Sequence, residues 1–461
     1  MIRDRRLRRP HRLVFDLSIL LLVLWFPALR AELDPDRDAA VRLTESVEKA
    51  KGLVEKIRGV PFRGPVISAL LPAKDLPKLL EKKLVEDLPT TFDKYTASLV
   101  AVGLIEPEAD LLKKITRLYS RQVAGFYDPA AKKFFIVPER SSEASAGVPE
   151  LGVEAADLMQ EALLTHELTH ALQDQRLDLD RRMKALKDST DALLALEAFL
   201  EGEATVVMTE ALVSRLPPEG RTLLEGTGLT QMMSSLASGG TAIEGAEGVP
   251  DFFVKELLFP YVAGTAWIQA KRSHERQSDP LESKASRAPG WGAIEEAYRH
   301  LPETTSEILH PGKSFALRTR LSAAERPRAS ELPSRARSLY ADTLGEWVLA
   351  TLLERAGAGE DSAALAADRQ DDRILFFEAP GAVKESIGFL WRIRMSSPAG
   401  ARRLADALGP LYTGRALPAR PAILVTGSIV EVARGTVASA PVAPASPVAP
   451  VTSKTVREKT P

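Results

Sequence analysis

Two histidines four residues apart, with a glutamate directly after the first, can hold a metal ion and keep a base beside it. The stretch "LMQEALLTHELTHALQDQ", residues 158–175, carries that pattern as His166-Glu167-Leu168-Thr169-His170. In an α-helix, residues four apart are turned by about 40° and rise about 6 Å. His166 and His170 therefore project from one face, close enough to bind one ion. Glu167 sits within reach of a metal-bound water but not of the metal. Leu163, Leu164, Leu168 and Leu172 cover the neighbouring faces, which suits a buried helix. The chain has only six histidines, so this spacing is rare by chance. The plain alternative is a helix that carries two histidines on a polar face.

A catalytic zinc site needs a third protein ligand. A histidine six residues after His170, with a glycine between, would mark a metzincin. Those positions hold Arg176 and Gln173, which excludes that arrangement. Cysteine is absent, so disulfides, cysteine-type zinc sites and a cysteine nucleophile are excluded together. Any metal must be held by histidine and carboxylate. The next helical stretch, "ALLALEAFLEGEATVV", offers Glu201 in Glu201-Gly202-Glu203-Ala204. Glu197 shares the face of Glu201 one turn earlier and competes for the role. Glu203 lies about 200° from Glu201, on the far side of the helix. Gly202 costs about 1 kcal/mol against alanine within a helix. Close approach to the His166 helix is the expected reason for tolerating it.

With these residues the chain resembles the gluzincin peptidases, the group that includes thermolysin and the aminopeptidases with an N-E-G-x-A segment. The segments "SRQVAGFYDPAAKKFFIVPE", "HELTHALQDQ", "ALEAFLEGEA", "FPYVAGTAW" and "PETTSEILHP" also resemble a group of exported bacterial metallopeptidase-like proteins. The likeness covers roughly residues 100–320. It implies zinc bound by His166, His170 and Glu201, with Glu167 as the catalytic base. The chain departs from thermolysin in the spacing to the third ligand and in lacking an N-E-x-x-x-D segment. Leu200 stands where the aminopeptidases carry asparagine.

Three protein ligands leave one position for water, which marks a catalytic site. Glu167 would take the proton of that water and pass it to the leaving amine. A second donor to the oxyanion is expected at Tyr261 in "FPYVAG" or at His310 in "EILHPGK", with His310 slightly favoured. For both, the plain alternative is a structural role. Asp174, one turn after His170, could orient a ligand imidazole; an exposed helix carboxylate is the simpler reading.

Helical periodicity runs through residues 36–58, 74–88, 107–123, 158–175, 191–213 and 252–272. "GPVISALL" reads as a short strand. "GFYDPAAKKFFIVPE" reads as a hairpin turning at Asp128-Pro129, and Phe134–Val137 is expected as an edge on which an extended peptide adds as a strand. After about residue 330 a helix at 344–358, paired strands at 372–379 and 385–395, a helix at 398–409 and one last strand at 421–435 form a small α/β module.

The amino terminus is arginine-rich, followed by an apolar run from Leu13 to Phe26 and by Ala28 and Ala31. That is the layout of a secretory signal, with an uncleaved anchor as the alternative. The run is shorter than the roughly 20 residues a spanning helix needs. Lys+Arg and Asp+Glu balance at 61 and 62, so no field of one sign favours a nucleic-acid partner. From Gly435 the chain is rich in Pro, Ala, Val and Ser and reads as disordered. The expected fold class is α+β. A signal or anchor occupies residues 1–31, a mainly helical zincin-like domain with a small sheet and hairpin 32–330, the α/β module 331–434 and the tail 435–461. The expected function is an exported zinc peptidase acting on peptide or protein substrates. A degenerate zincin scaffold that binds or assembles, and a zinc hydrolase of a non-peptide substrate, are the rivals.

Overall fold

The computed structural model describes residues 37–86, 88–138, 152–215, 243–278, 290–315, 318–379, 387–413 and 421–435. The expected signal or anchor, the Ser/Gly/Pro-rich stretch 140–150 that reads as a loop, and the tail beyond Gly435 lie outside them, as does a part of 238–250, a loop by composition. Among the described residues no helix is long and apolar enough to cross a membrane.

The chain is α+β. It opens with α1 (Arg37–Arg58), β1 (Ile67–Leu70), α2 (Leu76–Glu86), α3 (Phe92–Val102) and α4 (Leu111–Gln122). The hairpin β2 (Gly125–Asp128) and β3 (Lys133–Ile136) follows. Its turn is closed by Asp128, whose Oδ1 accepts from Ala130 N at 2.9 Å and Ala131 N at 3.2 Å. β3 also pairs in parallel with β1, so the sheet order is β1-β3-β2. This corrects the expectation for Phe134–Val137: β3 is the central strand, and β2 is the edge that packs on the motif helix.

That helix is α5 (Gly152–Leu177), followed by α6 (Leu179–Ala185) and α7 (Thr190–Arg215). Residues 162–174 of α5 and 198–209 of α7 are all buried. A helix enclosed on every side carries apolar residues all round, and so it shows little amphipathic periodicity. Next come α8 (Asp251–Ser278), α9 (Gly292–Arg299) and the short α10 (Thr305–Leu309). α7 packs most extensively against α8, then against α5.

The remaining chain forms β4 (Arg337–Asp342), α11 (Gly345–Arg355), α12 (Asp361–Ala367), β5 (Arg369–Glu378), β6 (Ile387–Met395), α13 (Pro398–Thr413), β7 (Ala422–Thr426) and β8 (Ile429–Arg434). The five strands form an antiparallel sheet in the order β4-β5-β6-β8-β7. The single last strand expected at 421–435 is two strands, folded back at Gly427 with φ 59°. Positive φ is what a two-residue hairpin turn asks for. One apolar cluster crosses the boundary expected at residue 330. It joins Leu80, Leu99, Leu118 and Phe253 to Leu349, Trp391 and Val432.

Candidate metal centre

α5 and α7 lie side by side, and one turn of each supplies the polar residues between them. His166, His170 and Glu201 are buried, and their ligand atoms lie within 4.8 Å of one another. His166 Nε2 is 3.2 Å from Glu201 Oε2, and His170 Nε2 is 3.6 Å from the same oxygen. Glu197, the competitor one turn earlier, is half-buried and is not in this group. Its charge is felt at Tyr119, whose hydroxyl is made less acidic by burial, by Glu256 and by Glu197.

The donor set fits a cation. Gln173 Nε2 donates to Leu200 O and to Glu203 Oε2, both at 2.9 Å. Its Oε1 must then be the atom that faces His170 Nδ1 at 2.8 Å. An amide oxygen only accepts, so Nδ1 carries a hydrogen, and in the neutral ring the lone pair is then on His170 Nε2. A lone pair turned towards a buried carboxylate oxygen is unfavourable unless a cation lies between them. Burial pushes the His166 imidazole down to about 4, an effect increased by His170 and opposed by Glu201. It is therefore neutral at pH 7, as a ligand must be. Burial opposes ionisation of Glu201, but His170 and His166 outweigh it and hold the carboxyl well below its usual range. Histidine nitrogens and one carboxylate suit zinc among the common divalent ions.

Glu167 is also buried, but it turns out of this group. Its Oε2 accepts from the backbone N–H of Tyr127 on β2 at 2.8 Å. The edge strand thus pins the residue expected as base.

Two close contacts set the depth of the site. A Cβ on Gly202 would lie 2.2 Å from the carbonyl carbon of Gly264, and one on Gly264 would lie 1.9 Å from Ala198 O. This corrects the reason expected for Gly202: the backbone it approaches belongs to α8, not to the His166 helix. The same crossing carries Tyr261, three residues before Gly264, to His166. Its ring stacks on His166 with centroids 6.4 Å apart and planes 26° apart.

His310 is placed elsewhere. Its Nε2 pairs with Glu346 Oε1 at 2.7 Å, tying the end of α10 to α11. Thr305, at the start of α10, is held by Asp191 through its N–H at 2.7 Å and its hydroxyl at 2.6 Å. Asp191 lies ten residues before Glu201 on α7, about 15 Å along the helix. Asp174 does not meet an imidazole, nor is it exposed. It accepts from Tyr127 OH and Lys132 Nζ, both at 2.7 Å, and from Leu179 N at 2.9 Å. The residue that meets the His170 imidazole is Gln173. The i, i+3 spacing to His170 is a signal that could have found it. Nothing local marks the Tyr127 N–H.

No family model, curated protein or solved structure matches the chain. Its functional reading therefore rests on this geometry and on the sequence pattern.

Proposed function

We propose that the chain is an exported zinc-dependent peptidase of the gluzincin type, with His166, His170 and Glu201 as ligands and Glu167 as base. The observation that carries this reading is the convergence of two imidazoles and one carboxylate, with Glu167, next to His166 in the chain, held by Tyr127 N–H. When bound there, zinc supplies Lewis acidity and makes a water acidic enough to attack near neutral pH.

Glu167 receives the proton of the attacking water and delivers it to the leaving nitrogen. Its bond to the Tyr127 backbone N–H fixes the position of the carboxylate. The Tyr261 hydroxyl is the donor proposed for the developing oxyanion, since its ring lies against His166. The substrate lies along β2. Val137 N donates to Ala124 O, so by antiparallel alternation Phe126 faces β3 while Gly125 and Tyr127 turn their backbone outward. An extended peptide can pair there. An edge strand beside the site favours a peptide over a small non-peptide substrate. A binding scaffold would have no use for a glutamate fixed beside three ligands. Export rests on the amino-terminal pattern alone.

The test is paired. The purified protein should take up about one zinc per chain. Glu167→Gln should retain it and lose hydrolysis of a denatured protein about 100- to 10,000-fold. A wild-type protein that stays metal-free in excess zinc at neutral pH would overturn the proposal.

A further inference from the structure

Glu203 is fully buried, two residues beyond the ligand Glu201 and on another face of α7. Its Oε2 accepts from Gln173 Nε2 at 2.9 Å and from Tyr298 OH at 2.6 Å. Its Oε1 accepts from Arg58 Nε at the end of α1. Arg58 Nη2 continues to Glu295 Oε1 at 2.9 Å, and Arg176 of α5 grips both oxygens of Glu295 at 3.0 and 2.6 Å. Four helices, α1, α5, α7 and α9, thus meet on one carboxylate.

We propose that Glu203 is a positioning residue for the metal centre: through Gln173 it fixes which nitrogen of His170 carries the hydrogen. This rests on the reading of His170 as a ligand. The two ends of a glutamine amide are nearly equal in size, so packing alone does not choose between its two orientations. Flipped, Gln173 would turn its NH2 towards His170 Nδ1. The hydrogen would move to Nε2, the atom that faces Glu201, and the ligand would be lost. Leu200 O disfavours the flip as a neutral acceptor. Glu203 disfavours it more, because the flip would set an amide oxygen against a carboxylate oxygen. A carboxylate is needed for this, and a buried carboxylate needs a cation. Arg58, itself buried and lying 4.2 Å from the centre of the Trp291 ring, supplies the charge. Directing Oε2 at Gln173 is what links α1 to the site.

The test uses the full chain, stripped of metal, with 15N-labelled histidine. The ring nitrogen shifts of His170 report its tautomer at a pH high enough for the ring to be neutral. The wild type should show hydrogen on Nδ1. Glu203→Gln should raise the share with hydrogen on Nε2 and weaken zinc affinity about 10- to 100-fold. Gln173→Leu should do the same while leaving the Arg58–Glu203 pair whole, so it remains readable if Glu203→Gln does not fold. The double variant should bind zinc no worse than Gln173→Leu, because Glu203 acts through Gln173. Tyr298→Phe, which removes only the other donor to Oε2, should leave the tautomer unchanged. An unaltered tautomer in folded Glu203→Gln or in Gln173→Leu overturns the proposal, and so do additive losses in the double variant. Failure of the wild type to bind zinc would instead sink the metal-centre reading and leave the tautomer result standing.

Discussion

Gly202 of α7 and Gly264 of α8 touch backbone to backbone, with 2.2 Å between a Cβ built on the first and the carbonyl carbon of the second. Alanine at Gly202 would gain about 1 kcal/mol of helix propensity. Against that, backbone atoms cannot swing aside, so the helices must part, at a cost of about 1–3 kcal/mol or more. The clash should win. Gly202→Ala is expected to lower the melting temperature and, because Glu201 is the adjacent residue, to weaken zinc binding. A variant as stable as the wild type would show that the two backbones have room to spare.

The second expectation concerns the rung of α7 that holds metal. Glu201→Ala should abolish zinc uptake at micromolar metal, and Glu197→Ala should leave it unchanged. Glu201 shares its oxygen between both imidazoles, whereas Glu197 lies towards Tyr119. Equilibrium dialysis with folding checked by circular dichroism decides between them. The reverse pattern would move the site one turn up the helix.

The pair His166–His170 was legible because i, i+4 geometry is local to one helix. The face of Glu201 was legible for the same reason. What covers each face is a tertiary matter, and there sequence reasoning failed. Gly202 was assigned to the wrong partner helix. Glu203 was placed on a far side, but α7 is enclosed all round, so its far side is still interior. The hairpin was visible in its turn residues. Its central strand was not, because β1 joins β3 from more than 60 residues upstream. Gly427-Ser428 between two apolar runs did signal a hairpin, and reading 421–435 as one strand overlooked it.

Stability of the metal-free protein should fall as pH drops from about 6.5 to about 4. An unfolded histidine gains a proton below about 6.5. Buried His166 takes one only near 4. Across that window the unfolded state binds more protons, so folding is disfavoured as pH falls. The full effect of this one group is on the order of 3 kcal/mol. Urea unfolding of wild type and of His166→Gln, followed through the window, isolates it. Parallel pH profiles for the two proteins would remove the effect.

Tyr261 and His310 should now separate. Tyr261→Phe should keep zinc and lose turnover about 100- to 1,000-fold, as expected for removal of an oxyanion donor. His310→Ala should leave zinc and turnover in place and lower stability, because it strips a partner from the buried Glu346. The sequence slightly favours His310, but the fold pairs its Nε2 with Glu346 from an element 36 residues on. Full activity in Tyr261→Phe would return that tyrosine to a packing role.

The last expectation is that no cut near residue 330 yields a working catalytic fragment. The apolar cluster that includes Leu99 and Leu118 also includes Trp391 and Val432, so removing the five-stranded sheet would expose it to water. Polar ties cross the same line. Tyr412 OH donates to Val102 O at 3.1 Å, and Arg434 Nη1 to Ala101 O at 3.3 Å. Arg369 Nη2 meets Asp191 Oδ2 at 2.6 Å, a buried pair at the start of the helix that carries Glu201. Breaking a buried pair from one side costs about 3–5 kcal/mol, a large part of the stability of an ordinary domain. Arg369→Ala in the full chain should therefore lower the melting temperature sharply, and a chain ending at residue 330 should be insoluble or lack a cooperative transition. A soluble 32–330 fragment that unfolds cooperatively and holds one zinc would show instead that the sheet is an independent unit resting on a complete enzyme.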